Sequence, residues 1–422
     1  MLKIFKLAEL RKKILFTLAV ILIFRLLAHV PVPGVNIEAI KSYLQGNALL
    51  GLFDYFSGGG FQNFSIVTLG LNPYINASII IQLMTMMIPK FEELSKEGES
   101  GREILNQYTR YLTVPISLFQ AYGVYFLLSR QGVIGELASF DLAVLIATLT
   151  GGGMLLVWIG DLLTEYGIGN GISLLIFVGI IGRMPASAYQ FITTIDFSNF
   201  INLIQPIIFL IVAILVIVGV VLINEGTRNI SLEYGRRGQG GQRVSNYLPI
   251  KINQAGVIPI IFAVSIVMLP TMISAPLQAS TNEVMQNIGS WLAINFQRTN
   301  WAYNLTYFLL VFGFTYFYTA VQFDPEKISD DIKKRGGFIP GVRPGIATKK
   351  YLGRIITRIT LGGALFLGLI AVMPFIVQLA MGGNTSYSVG GTGLLIVVSV
   401  VLETTRQMES MLVTRNYDSF LM

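Results

Sequence analysis

The 422-residue sequence has no cysteine and one histidine, His29, so disulfides, thiolate catalysis, Cys-based metal sites and a Ser/His/Asp set have almost nothing to be built from. No H-E-x-x-H and no Walker loop is present, and the chain is expected not to be an enzyme and to hold no metal or other cofactor. The glycine-dense run Gly167-Ile-Gly-Asn-Gly-Ile172 follows Asp161 and Glu165 rather than a strand. That context disfavours a dinucleotide site and suits a tight turn opening a helix, with Asn170 near the cap. Arg25 is the main charge inside an apolar run; it is read either as a functional intramembrane charge or, more plainly, as a residue that snorkels or pairs with a loop carbonyl. Ile75 and Ile79 share one helix face, as do Ile172 and Ile176; by residue type alone such pairs meet lipid or a neighbouring helix.

These residues sit in a chain that is 53% hydrophobic and only 13% charged, so its excess apolar surface must face lipid. Runs of about 20 apolar residues cross a bilayer as helices. Ten such runs are expected, near 13–30, 73–89, 111–130, 142–161, 172–190, 206–224, 255–275, 301–321, 354–375 and 391–412. The basic start from Leu2 to Lys13 and the Pro31-Val32-Pro33-Gly34 that follows the first run do not resemble a cleaved signal peptide. One set of connections carries nearly all Lys and Arg, while the other has only Lys41, Arg130, Arg183 and Arg298; the positive-inside rule makes the first side, with both termini, cytoplasmic. Three connections on that side are long, 90–110, 225–254 and 322–353, and the last two are strongly basic. Asp161, Glu165 and Glu403 lie toward span ends, so the acidic mid-membrane site of an ion-coupled transporter is missing. Residues 56–68 are mildly apolar but too short and too polar to cross, and they lead through Leu69-Gly-Leu-Asn-Pro73 into a full helix. They read as a broken helix, which at membrane depth survives only when buried in protein or lining a cavity.

Seven motifs, in order along the chain, carry a resemblance. They are Phe56-Ser-Gly-Gly, Leu69-Gly-Leu-Asn-Pro-Tyr-Ile-Asn-Ala-Ser-Ile-Ile-Ile-Gln82, Lys96-Glu-Gly-Glu-Ser-Gly-Arg102, Gly167-Ile-Gly-Asn-Gly-Ile-Ser173, Leu248-Pro-Ile-Lys-Ile-Asn-Gln-Ala-Gly-Val-Ile-Pro259, Phe338-Ile-Pro-Gly-Val-Arg-Pro-Gly345 and Gly390-Gly-Thr-Gly-Leu-Leu-Ile396. Together they resemble the SecY family, the channel subunits of the bacterial Sec protein translocon.

The resemblance implies an all-α integral membrane protein whose ten transmembrane helices form two five-helix halves, residues 1–190 and 191–422, as pseudo-symmetric inverted repeats around a central hourglass pore. It implies a pore ring of Ile75, Ile79, Ile172, Ile176, Ile261 and Ile396. Branched aliphatic side chains suit that role as a deformable gasket without fixed sites for a permeating ion. Ser57-Gly58-Gly59-Gly60-Phe61-Gln62-Asn63-Phe64-Ser65-Ile66-Val67 corresponds to the family's plug, and its glycines and short polar residues fit an element that moves aside at low cost. The lateral gate is implied between spans 73–89 and 255–275, with Asn253 as the matched polar residue and a simple helix cap as its other reading.

The basic connections carry the implied docking residues Arg343, Lys349, Lys350, Arg236 and Arg237; such charge can meet acidic protein, RNA phosphate or lipid head groups. The glycine-rich tip 238–242 departs from the basic tip expected of the family. The implied activity is translocation of unfolded secretory polypeptides across the bacterial plasma membrane and lateral release of transmembrane segments into membrane lipid. The implied partners are SecE and SecG subunits, the SecA ATPase, ribosomes, and polypeptides bearing signal sequences. A secondary transporter of a small molecule, with its site at the broken helix, is the competing expectation.

Overall fold

Lipid offers no partner for backbone N–H and C=O groups, so long apolar runs satisfy them internally as helices. The computed structural model describes residues 8–33, 35, 37–40, 57–130, 132–135, 137–182, 184–193, 200–237, 243–280, 282–297, 299–380 and 391–421. Lys41, Phe56, Arg183, the tip 238–242, Arg298 and Gly390 lie outside them.

The helices are α1 (Ala8–Leu27), α2 (Asn72–Met87), α3 (Pro89–Lys96), α4 (Glu99–Arg130), α5 (Ser139–Tyr166), α6 (Gly171–Ile181), α7 (Met184–Thr193), α8 (Phe200–Glu225), α9 (Ile258–Gln278), α10 (Glu283–Asn295), α11 (Trp301–Gln322), α12 (Pro325–Lys334), α13 (Ile346–Ala380) and α14 (Gly391–Leu421). A helix stands at each expected span, the fifth being divided between α6 and α7. Among the described residues, six segments are long and apolar enough to cross a membrane: 99–129, 139–166, 206–225, 258–278, 301–334 and 346–379. On α8, Ile207, Leu210, Ile211, Ile214, Leu215 and Leu222 are each about half exposed or more, an aliphatic surface that only lipid or another apolar partner can cover.

Contacts group the chain into two compact units. One holds Met1–Ile195, Met268–Asn300 and Val400–Met422, and the other holds Asp196–Val267 and Trp301–Ser399. In the first, α2 packs along α4, α4 along α5, and α5 against both α6 and α1. In the second, α11 runs along α13.

The chain is predominantly helical, as the expected class requires, and the second unit adds a small three-stranded antiparallel sheet in the order β2-β1-β3, formed by β1 (Thr227–Arg237), β2 (Arg243–Lys251) and β3 (Gly337–Phe338). Strand alternation buries Ile230 and Leu232 and exposes Ser231 between them. One expectation needs correction: residues 57–71 form a succession of turns rather than a broken helix. Gly58 (φ 69°), Gly59 (φ 90°) and Phe64 (φ 41°) all adopt left-handed backbone, which a right-handed helix cannot include.

Candidate functional site

The turn-built segment is held by its own hydrogen bonds and by the end of α1. Ser57 Oγ accepts from the Phe61 amide at 2.9 Å, and the Ser65 amide donates to Gly60 O at 2.8 Å. Pro31 and Ser65 form an antiparallel bridge: the Val32 amide donates to Phe64 O (2.9 Å) and the Ile66 amide to Val30 O (3.1 Å). Phe61 and Phe64 are buried, Phe64 completely, in a cluster with Val124 and Leu128 of α4 and Leu145 and Leu149 of α5. The segment is therefore seated more firmly than its glycine content suggests.

Glycines shape the seat. A methyl group at Gly152 of α5 would overlap Ile66 O, and one at Gly58 would stand 2.6 Å from Phe24 Cζ and 3.3 Å from the Gly179 Cα of α6. Backbone thus meets backbone at both points. Arg25, whose role had two readings, pairs with a loop carbonyl, donating from Nη1 to Gly58 O at 2.9 Å. His29 Nδ1 lies 2.8 Å from Arg25 O at the exposed end of the same helix.

Of the six matched isoleucines, Ile75 and Ile79 are buried on α2 and Ile176 on α6, one turn before the Gly179 that touches the segment. Ile172 is half-buried, its Cγ1 beside Gly160 of α5. Ile261 is half-buried on α9 and Ile396 buried on α14; these two belong to the second unit and the other four to the first. The glycine run before α6 is the expected turn, with Asn170 as N-cap accepting from the Ser173 amide at 3.1 Å. Gly171 is required there because a methyl group would overlap Gly160 O.

Asn253, only 5% exposed, does not act as a helix cap: a capping side chain accepts from an amide, whereas Asn253 Nδ2 donates to Gly256 O (3.1 Å) and to Asn224 Oδ1 (2.8 Å). Asn224 Nδ2 in turn donates to Ser399 Oγ at 2.8 Å, so one polar chain ties the base of α9 to α8 and α14. Sequence reasoning missed Asn224 and Ser399, polar residues that follow apolar stretches of their helices and carry no local motif. Each buried amide bond contributes about 1 kcal/mol, and leaving a partner unsatisfied costs about 1–3 kcal/mol. Asn253→Leu and Asn224→Leu are therefore expected each to lower the thermal midpoint of the purified protein, with the double variant falling well short of the sum. Strict additivity in that cycle would show that the two amides do not act together.

The two basic connections form one folded body rather than separate loops. β1 pairs with β3 through Glu233↔Phe338 and Tyr234↔Gly337. Ile230, Leu232 and Ile250 of the hairpin share a core with Ile332, Ile339, Leu352 and Ile355. On this body Arg343 and Lys350 are exposed. Lys349 is also exposed but forms an ion pair with Glu326. Thr348 Oγ1 donates to Arg343 O (3.0 Å) and Ser329 Oγ to Gly345 O (2.9 Å), fixing the turn that presents Arg343. Arg236 and Arg237 end β1, and their side chains lie outside the described part.

The whole arrangement has counterparts among solved structures. A protein-conducting channel superposes with a TM-score of 0.64 at 20% identity, covering 95% of this chain and 92% of its own. Sec61 of a canine ribosome-channel complex from the endoplasmic reticulum gives 0.61 at 18% identity, covering 95% and 92%. The fold is that of the protein-translocation channels. In sequence, the SecY family model matches residues 65–405. The protein translocase subunit SecY of Corynebacterium glutamicum is 42% identical, covering 99% of this chain and 98% of its own. That of Thermotoga maritima is also 42% identical, covering 99% and 96%. The chain belongs to the SecY family. It is a multi-pass membrane protein and the channel subunit of a protein translocase.

Proposed function

We propose that this channel carries unfolded secretory polypeptides across the bacterial plasma membrane, with both termini cytoplasmic, and releases transmembrane segments sideways into lipid. The observation that carries this reading is the segment 57–67: a turn-built piece of chain packed against apolar helices by side-chain burial and a few hydrogen bonds rather than by helical continuity. It acts as the plug. Residues 1–190 and 191–422 are proposed as the two halves that part to form the pore. Ile75, Ile79, Ile172, Ile176, Ile261 and Ile396 form its apolar ring, and their lack of polar atoms leaves an ion without a binding site. Replacing Ile79 and Ile261 together by Gly is expected to raise resting conductance in planar bilayers, and an unchanged conductance would remove them from the ring.

Spans α2 and α9 form the lateral gate, with the buried tie at Asn253 setting the base of α9. The exposed basic side chains of the sheet-bearing body, Arg343 and Lys350 with Arg236, Arg237 and the paired Lys349, dock SecA or a ribosome, which supplies the energy. Ribosome docking is supported by the Sec61 and Ssh1 channels, whose solved complexes include ribosomes. SecE and SecG companions complete the channel. The test is reconstitution with a SecE-type partner, SecA, ATP and a labelled precursor. Protease protection that needs both ATP and this chain is expected, and its absence, beside a known channel that works with the same components, would overturn the proposal.

A further inference from the structure

We infer that Arg25 is a positioning residue that clamps the segment 57–67 in its seat, and that Gly182 is the slot that admits its guanidinium. This rests on reading that segment as the plug.

Arginine stays charged at any working pH, so a guanidinium within an apolar span needs acceptors to replace water. Arg25 Nη1 finds one at Gly58 O, 33 residues away in sequence and at the start of the segment. A bond between a charged donor and a carbonyl is among the stronger kinds available, the more so where water is scarce. The guanidinium reaches that position only because residue 182, just past the end of α6, has no side chain; a methyl group there would overlap it. Phe24, next in sequence, closes on Gly58 from the same helix, and Gly58 itself touches Gly179 of α6. The start of the segment is thus gripped between α1 and α6, while residues 63–66 are bridged to residues 28–32 beyond α1. The bridge keeps the segment tethered when it moves, and the Arg25 bond to Gly58 is a contact that must break for its first turn to leave.

The test uses the complete channel with its companion subunit in planar bilayers, comparing resting conductance of Arg25→Met, Arg25→Lys, Gly182→Ala, a deletion of 57–67, and that deletion combined with Arg25→Met. Loss of a hydrogen bond to a charged group corresponds to roughly a tenfold to hundredfold rise in unseated population. Arg25→Met and Gly182→Ala are each expected to show a rise of that order, with Arg25→Lys between them and the parent. Arg25→Met is expected to add nothing once the segment is deleted. If the deletion leaks but Arg25→Met and Gly182→Ala do not, the clamp is wrong and the plug stands. If the deletion itself does not leak, the plug reading falls. If Arg25→Met raises leakage equally with and without the segment, Arg25 is merely structural and the clamp is overturned. Should Arg25→Met fail to assemble, Gly182→Ala, which keeps the charge, decides between the same outcomes.

Discussion

Phe64→Ala is expected to make the resting channel leak. Phe64 is fully buried, and its left-handed φ of 41° is unfavourable for a residue with a Cβ, by roughly 1–2 kcal/mol. Packing of the ring against α4 and α5 offsets that strain in the native protein. Alanine keeps the backbone penalty and removes the packing, a loss of about 3–5 kcal/mol. Since each 1.4 kcal/mol is about tenfold in an equilibrium, the unseated population is expected to rise by two orders of magnitude or more. Planar-bilayer conductance reads the effect directly, and amide hydrogen exchange across residues 60–68 gives an independent measure. Parent-like conductance together with parent-like exchange would show that the aromatic packing does not hold the segment.

Arg343→Glu is expected to reduce SecA-driven translocation by roughly tenfold or more, because it reverses a charge on an exposed turn of the proposed docking surface. Lys349→Ala should change the rate far less, since the Lys349 charge is already compensated by Glu326 and exposed pairs contribute about 0–1 kcal/mol. The contrast between the two variants separates a specific docking contact from a general basic field. Equal losses would favour the general field, and an unaltered rate in Arg343→Glu would take that residue out of the docking site.

The sequence made legible what depends on local pattern. Apolar runs marked where helices stand, and the Asn170 cap was readable because its partner, Ser173, is three residues away. Lost to sequence reading was whatever joins distant residues. The hairpin escaped because the alternation Ile230-Ser-Leu232 is short and set among charged and glycine-rich stretches, and β3 has only two residues. The turn-built segment was placed correctly along the chain but mistaken for helix, since glycine permits left-handed backbone without announcing it and Phe64 adopts it only under tertiary packing. The choice between two roles for Arg25 was settled by a carbonyl 33 residues away, and the Asn253 tie by partners 29 and then 175 residues away. A cap and a tertiary tie use the same residue type.

The sheet that fuses the two connections also has a mechanical consequence. β1 begins two residues after α8 ends, β2 runs on toward α9, and β3 stands eight residues before α13. With Ile332, Leu352 and Ile355 packed beneath the strands, a force applied at the Arg343 turn is not absorbed by slack in a loop. The body is built as a single packed block joined to the roots of three membrane helices at once, so a load on the turn would reach all three together.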